Sequence, residues 1–223
     1  MKKKSNVMYT VSAIAALAFI IFTYLVMHYD RSDIGPMGSL VGFSRLNEAF
    51  NNLTGYNEGL YNISSLLGIV TFAEVGVFAI VGLIQLIRGK SFKKVDAGLY
   101  VTLGLYVLLG AMYVLFEKWI INYRPVIMDP VEGLEASYPS SHTMLICTVV
   151  TAGIFEARRL IKNNTINTII AICSAVIIAA MVGCRLCSGV HWLTDIIGGV
   201  LLGGTLATLF IATLFAVEAK ENM

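Results

Sequence analysis

Apolar residues gather along this chain into six long runs, at roughly 7–28, 62–87, 97–121, 140–160, 166–184 and 191–217. Spanning about 30 Å of hydrocarbon at about 1.5 Å per residue takes about twenty apolar positions. A backbone in contact with lipid must also satisfy its own hydrogen bonds, so each run reads as a helix. Asp96 and Thr165 stand just before two of the runs as N-caps, and Gly89 follows the second as a stop. The longest connection, 29–61, holds Leu40, Phe43, Leu46, Phe50 and Leu53 at spacings of three and four, the signature of a short helix with one apolar face. The pattern therefore predicts an all-α fold: a six-transmembrane-helix bundle over residues 1–223 as one integral membrane domain, with an external amphipathic helix between helices 1 and 2.

Composition agrees with the pattern. The chain is 57% hydrophobic and only 13% charged, against roughly 25% charged in an ordinary soluble domain. A formal net charge of +2, with no basic patch interleaved with aromatics, argues against a nucleic-acid partner. The start Met1-Lys2-Lys3-Lys4 resembles that of a signal peptide. The apolar run behind it is too long, however, and no small-x-small site precedes Tyr29, so it reads as an uncleaved first helix.

Lysine and arginine in short connections set the orientation. With both termini in the cytoplasm, Lys2, Lys3, Lys4, Arg88, Lys90, Lys93, Lys94, Arg158, Arg159, Lys162 and Lys220 lie inside. Arg31, Arg45, Lys118, Arg124 and Arg185 remain outside. The asymmetry sets the orientation, and the expected location is the plasma membrane, as a multi-pass protein.

Three of those external cations belong to short blocks: Lys118…Arg124-Pro125, Pro139-Ser140-Ser141-His142, and Cys184-Arg185-x5-His191-x3-Asp195. All three fall at the extracytoplasmic ends of the runs. Guanidinium and ammonium groups with backbone N–H donors suit a phosphate and the charge that spreads over its oxygens during hydrolysis. Arg124 and Arg185 are the planar clamps, Lys118 a point charge, and Ser140 a hydroxyl donor. Near Ser141 and His142 a helix begins, where free N–H groups face an anion. His191 and Asp195, four residues apart, share a helical face, and a carboxylate on one imidazole nitrogen strengthens the other as a nucleophile. His142, from another helix, can protonate a leaving oxygen.

These residues resemble the type 2 phosphatidic acid phosphatase family of membrane lipid phosphatases, whose pattern is K-x6-R-P, P-S-G-H and S-R-x5-H-x3-D. Arg124-Pro125, Pro139-Ser140-x-His142 and Arg185-x5-His191-x3-Asp195 match it. The resemblance implies that His191 is the nucleophile, His142 the general acid, and that neither metal nor cofactor is required. It also implies a lipid phosphate as substrate, a phosphomonoester or a pyrophosphate such as undecaprenyl pyrophosphate, phosphatidic acid, phosphatidylglycerol phosphate, a sphingoid phosphate or lipid A.

The chain departs from the pattern at three positions. Glu117 occupies the strict lysine position with Lys118 one residue late, Ser141 replaces the glycine, and Cys184 replaces the serine. One residue on a helix is a turn of about 100°, so Lys118 points aside from that position. Three rival readings stand beside the hydrolase. They are a lipid phosphotransferase of the same family, a thiol oxidoreductase built on Cys184-x-x-Cys187, and a carrier that binds lipid phosphate without cleaving it. Zinc at His191-x3-Asp195 is disfavoured because the blocks hold only one further histidine, His142, and no suitable thiolate set nearby. Glu74, inside the second run, has no assigned role, although an intramembrane carboxylate is a functional candidate by default.

Overall fold

The computed structural model describes residues 1–221, and these form seven α-helices, two short 3-10 turns and no strand. The helices are α1 (Lys2–His28), α2 (Ser44–Thr54), α3 (Glu58–Gly89), α4 (Ala97–Lys118), α5 (Ser141–Leu160), α6 (Asn164–Cys187) and α7 (Leu193–Glu221). Their caps explain several boundaries. Asp96 caps α4 by accepting from the Gly98 N–H at 2.7 Å, as its position in the sequence predicts. At α6 the cap is Asn163, accepting from Ile166 N–H at 3.1 Å, rather than Thr165. Helix α3 runs through Gly89, and its left-handed C-terminal residue is Lys90.

Five helices, α1, α3, α4, α6 and α7, are long and apolar enough to cross a membrane, where the sequence predicts six. The exception is α5, whose last turns carry Glu156, Arg158 and Arg159. Its position supplies the reason. Helix α5 packs against α3, α4, α6 and α7, and Thr143, Thr148 and Glu156 are buried along it. Thr102 Oγ1 donates to Glu156 Oε1 at 3.0 Å from the neighbouring α4. A helix wrapped by other helices needs less lipid-like character than one at the perimeter. The perimeter shows the opposite composition: Ile14, Leu17, Ile20, Ile69, Phe72, Leu103, Val107, Ile172 and Val176 all point outward.

The longest packing seam joins α1 to α7. Ser5 Oγ donates to Ala212 O at 2.9 Å and Ser12 Oγ to Thr205 O at 3.1 Å, both buried. The pairing is antiparallel, so the start of α1 and the end of α7 lie at one end of the bundle. Helices α5 and α7 run parallel, both starting at the opposite end. Gly199 lets them touch, because a Cβ there would stand 2.8 Å from Ser140 O and from Thr143 Cβ. Between α6 and α7 the chain turns at Gly189, at φ +69° and against the backbone of Gly55.

Helix α2 forms between α1 and α3, shorter than the apolar spacing suggests, and its inward face is polar. Ser44 and Asn47 are its buried residues, while Leu46 and Leu53 are exposed and Leu40 and Phe43 precede the helix. Asn47 Nδ2 donates to Gly42 O (2.7 Å) and Thr194 Oγ1 (2.9 Å), and its Oδ1 accepts from Thr194 N–H (3.2 Å). A polar face thus ties α2 to the first turn of α7.

Candidate active site

At the end of the bundle away from the termini, the starts of α5 and α7 meet the ends of α4 and α6. His191 sits just ahead of α7 rather than in its first turn, since that helix begins at Leu193. Asp195, the third helical residue, reaches back so that Oδ2 accepts from the Trp192 N–H at 3.0 Å, the geometry of a capping box. Its Oδ1 accepts from Asn122 Nδ2 at 3.1 Å. Asp195 Oδ2 and His191 Nδ1 are 3.7 Å apart, beyond a hydrogen bond. Ser137 joins them: its hydroxyl donates to Asp195 Oδ2 and lies 3.2 Å from His191 Nδ1.

That bridge assigns the tautomer. A carboxylate only accepts, so the single Ser137 proton goes to Asp195. Ser137 Oγ then accepts from His191 Nδ1–H, and the lone pair is left on Nε2. Nε2 is buried without a protein partner. Burial, together with the positive charges of Arg124 and Arg185 and against the pull of Asp195, lowers the His191 pKa to about 4. The ring is therefore neutral at pH 7.

Arg185, at the end of α6, is completely buried. Its Nη1 donates to Ser64 Oγ at 3.1 Å, and its guanidinium carbon lies 5.1 Å from the centre of the Tyr61 ring. Nε and Nη2 have no protein partner, and no carboxylate among the described residues forms an ion pair with it. Charges are seldom buried unpaired, because desolvation costs several kcal/mol. Two unused donors on a rigid fork suit an oxyanion.

Arg124 is half-buried in the connection between α4 and α5, with Nε 3.2 Å from Glu135 Oε2. It is within electrostatic reach of His142, Arg185 and His191. His142, in the first turn of α5, has a buried Nδ1 without a partner and lies against Gly68 of α3. Ser140 N–H donates to Asp195 O at 2.9 Å, and Ser140 Oγ accepts from Thr143 Oγ1 at 3.1 Å. Ser140 makes no side-chain cap bond, so the N–H groups of Ser141, His142 and Thr143 stay available to an anion.

On the α4 side of His191, Ser141 and Glu117 line one cavity with Ser137 and Tyr138. Lys118, the last residue of α4, is exposed and does not line it. The cysteines are free thiols, and neither Cys184 nor Cys187 lines the cavity. Among the described residues no three His, Cys, Asp or Glu side chains converge as a metal-ligand set.

The PAP2 superfamily pattern matches residues 98–218. The chain belongs to the PAP2 superfamily. No curated protein sequence matches it. Its fold is similar to the crystal structure described as the first transmembrane PAP2 type phosphatidylglycerolphosphate phosphatase from Bacillus subtilis, with a TM-score of 0.64 at 18% identity, covering 93% of this chain and 96% of that one. Membership and the apolar helices make this a multi-pass membrane protein. The match begins after α3, so Ser64, Tyr61 and the Asn47 anchor lie outside it.

Ser137 and Asn122 were invisible to helical periodicity because both lie in the α4–α5 connection. The only available signal was proximity: Ser137 is two residues before Pro139, and Asn122 two before Arg124.

Proposed function

We propose that this PAP2 protein hydrolyses a lipid phosphate, a phosphomonoester or a pyrophosphate, through a phosphohistidine on His191. The observation that carries the reading is the Asp195–Ser137–His191 relay, which leaves the Nε2 lone pair free in a region bordered by two guanidinium groups. Arg185 and Arg124, with the N–H groups at the start of α5, hold the phosphoryl oxygens and the charge that grows on them. Nε2 attacks phosphorus, the P–O ester bond breaks, and the alcohol leaves with a proton from His142. Water, giving its proton back to His142, then breaks the N–P bond and releases inorganic phosphate. Capture by a lipid alcohol instead of water would make the same site a phosphotransferase, which product analysis distinguishes.

Antiparallel pairing of α1 with α7 supports six crossings, with α5 sheltered at the centre and both termini cytoplasmic. The site then faces outward across the plasma membrane. Helix α2 lies at that surface, its exposed Leu46 and Leu53 dipping toward lipid beside the entrance. Cys187 is exposed at the site end. In intact cells an impermeant maleimide should label it, and a Cys187→Ser variant should lose that labelling. Labelling only after permeabilisation would reverse the orientation.

The test of activity is phosphate release from a panel of lipid phosphates in detergent with excess chelator. Wild type should release phosphate, and His191→Ala should not. Release that survives His191→Ala would overturn the mechanism. Release that stops on adding chelator would overturn its independence of metal.

A further inference from the structure

Helices α3 and α4 leave a groove between them on the perimeter of the bundle, at the end that holds the start of α1. Helix α3 packs on α5 and α6, and α4 on α5 and α7, so the two run side by side with little direct contact. Val75, Phe78, Leu83 and Leu86 line one wall and Leu99 and Leu103 the other, with Phe92 at the mouth. The hydroxyls of the lining are turned to the protein. Tyr100 Oη donates to Phe92 O at 2.7 Å, and Thr102 Oγ1 to Glu156 Oε1 at 3.0 Å. The Tyr106 hydroxyl is buried, within electrostatic reach of Glu74 and Glu156. The groove encloses about 470 Å³, within the range of about 300–1,000 Å³ for small-molecule sites. From Val75 to Leu86 it follows α3 for about 16 Å, at about 1.5 Å per residue. That is half of the roughly 30 Å hydrocarbon core, the depth of one leaflet.

Arg88 and Lys90, at the end of α3, and Lys93 and Lys94, in the 3-10 turn Phe92–Lys94, stand at the mouth. All are exposed, and none has an ion-pair partner among the described residues. The carboxylate that follows them in the chain, Asp96, is engaged by Arg159 at 3.1 Å. The orientation rule alone accounts for basic residues at this end. It accounts neither for the groove that opens beside them nor for Phe92, 71% exposed among the lysines. An apolar groove as deep as one leaflet, with unpaired cations at its polar end, is complementary to a lipid whose headgroup carries net negative charge.

We propose that this groove binds an anionic glycerophospholipid of the adjoining leaflet, with one acyl chain between α3 and α4 and its phosphate among Lys90, Lys93 and Lys94. The site lies at the opposite end of the bundle from His191 and is read by binding, so it stands or falls apart from the hydrolase reading.

The test uses purified full-length protein in phosphatidylcholine nanodiscs. A trace of phosphatidylglycerol with a photoreactive group on one acyl chain is compared with phosphatidylcholine carrying the same group. Each basic side chain beside an anionic headgroup contributes about fivefold in affinity, so two such contacts give at least about tenfold. Phosphatidylglycerol should therefore label peptides covering 75–86 and 92–106 at least about tenfold more than phosphatidylcholine does. Changing the exposed lysines together, Lys90→Gln, Lys93→Gln and Lys94→Gln, should bring the two lipids to within about twofold. Gly82→Leu should fill the groove and remove the labelling of those peptides, since a Cβ at Gly82 meets only Leu99 Cδ1, at an ordinary 3.8 Å. Excess glycerophosphoglycerol, which has the headgroup without chains, should leave the labelling unchanged. Equal labelling by the two lipids marks ordinary boundary lipid and overturns the site. So does a preference that survives the lysine changes, labelling that persists in folded Gly82→Leu, or displacement by the soluble headgroup. If Gly82→Leu does not fold, the lysine variant decides.

Discussion

Ser137→Ala tests the relay that assigns the nucleophile. The change removes one hydroxyl that touches both His191 Nδ1 (3.2 Å) and Asp195 Oδ2. Asp195 keeps two other donors, Asn122 Nδ2 at 3.1 Å and Trp192 N–H at 3.0 Å, so its carboxylate stays in place. His191 Nδ1–H, in contrast, is left unpaired in a buried site, because Asp195 stands 3.7 Å away. An unsatisfied buried donor costs about 1–3 kcal/mol. The proton can avoid that cost by moving to Nε2, the tautomer that cannot attack phosphorus. At about 1.4 kcal/mol per factor of ten, kcat should fall about 5- to 140-fold. KM should change little, since neither arginine is touched. The assay is phosphate release over a range of lipid phosphate concentrations, with thermal melting in detergent as a check on folding. Ser137→Thr keeps the hydroxyl and should recover most of the loss. Ser137→Ala with kcat within twofold of wild type would refute the tautomer argument.

Three further outcomes follow from the geometry. Because the His191 pKa is lowered to about 4, the nucleophile is neutral above that value and protonates as pH falls through it; the acid limb of kcat/KM, corrected for substrate ionisation, should lie near 4, and a limb at the ordinary histidine value of 6.5 would contradict the burial argument. Arg185→Met replaces a buried, unpaired charge with an apolar side chain, so it should melt at or above the wild-type temperature without phosphate while kcat/KM falls about 10²–10³-fold; a clear drop in melting temperature would show that Ser64 and Tyr61 already satisfy the guanidinium. Gly199→Val forces side-chain atoms against Ser140 O, a backbone atom that cannot rotate away, and should cost about 1–3 kcal/mol, seen as a lowered melting temperature.

Much of the scaffold is legible in the sequence because lipid imposes a simple rule on long apolar runs. The Asp96 cap is legible for the same local reason, a short acceptor directly ahead of a run. Helix α5 shows where the rule stops: its lining is other helices, so Glu156 can sit in it with Oε1 accepting from Thr102 and Arg159 Nε 3.9 Å from Oε2. The fold brings His191, Asp195, Arg185 and Ser141 of the matched blocks to one end of the bundle, and the His191-x3-Asp195 spacing keeps those two side chains close. Spacing could not reveal that Ser137 stands between the histidine and the aspartate. That contact joins residues 54 and 58 positions apart and depends on how the α4–α5 connection folds back. The same holds for the Ser64 bond to Arg185, 121 positions away. In helix α2 the apolar Leu46 and Leu53 are exposed, and it is the polar Asn47, which apolar spacing cannot single out, that makes the contact fixing the start of α7.

The central claim is that phosphorus passes through His191, and the most direct measurement is to trap it there. Wild-type protein, given a radiolabelled lipid phosphate in the presence of chelator and quenched within milliseconds, should carry label that is stable to base and labile to acid. That label should map to the peptide containing His191 and be absent from His191→Ala. Phosphate release with no label on the protein at any quench time, or label on a different residue, would contradict the account.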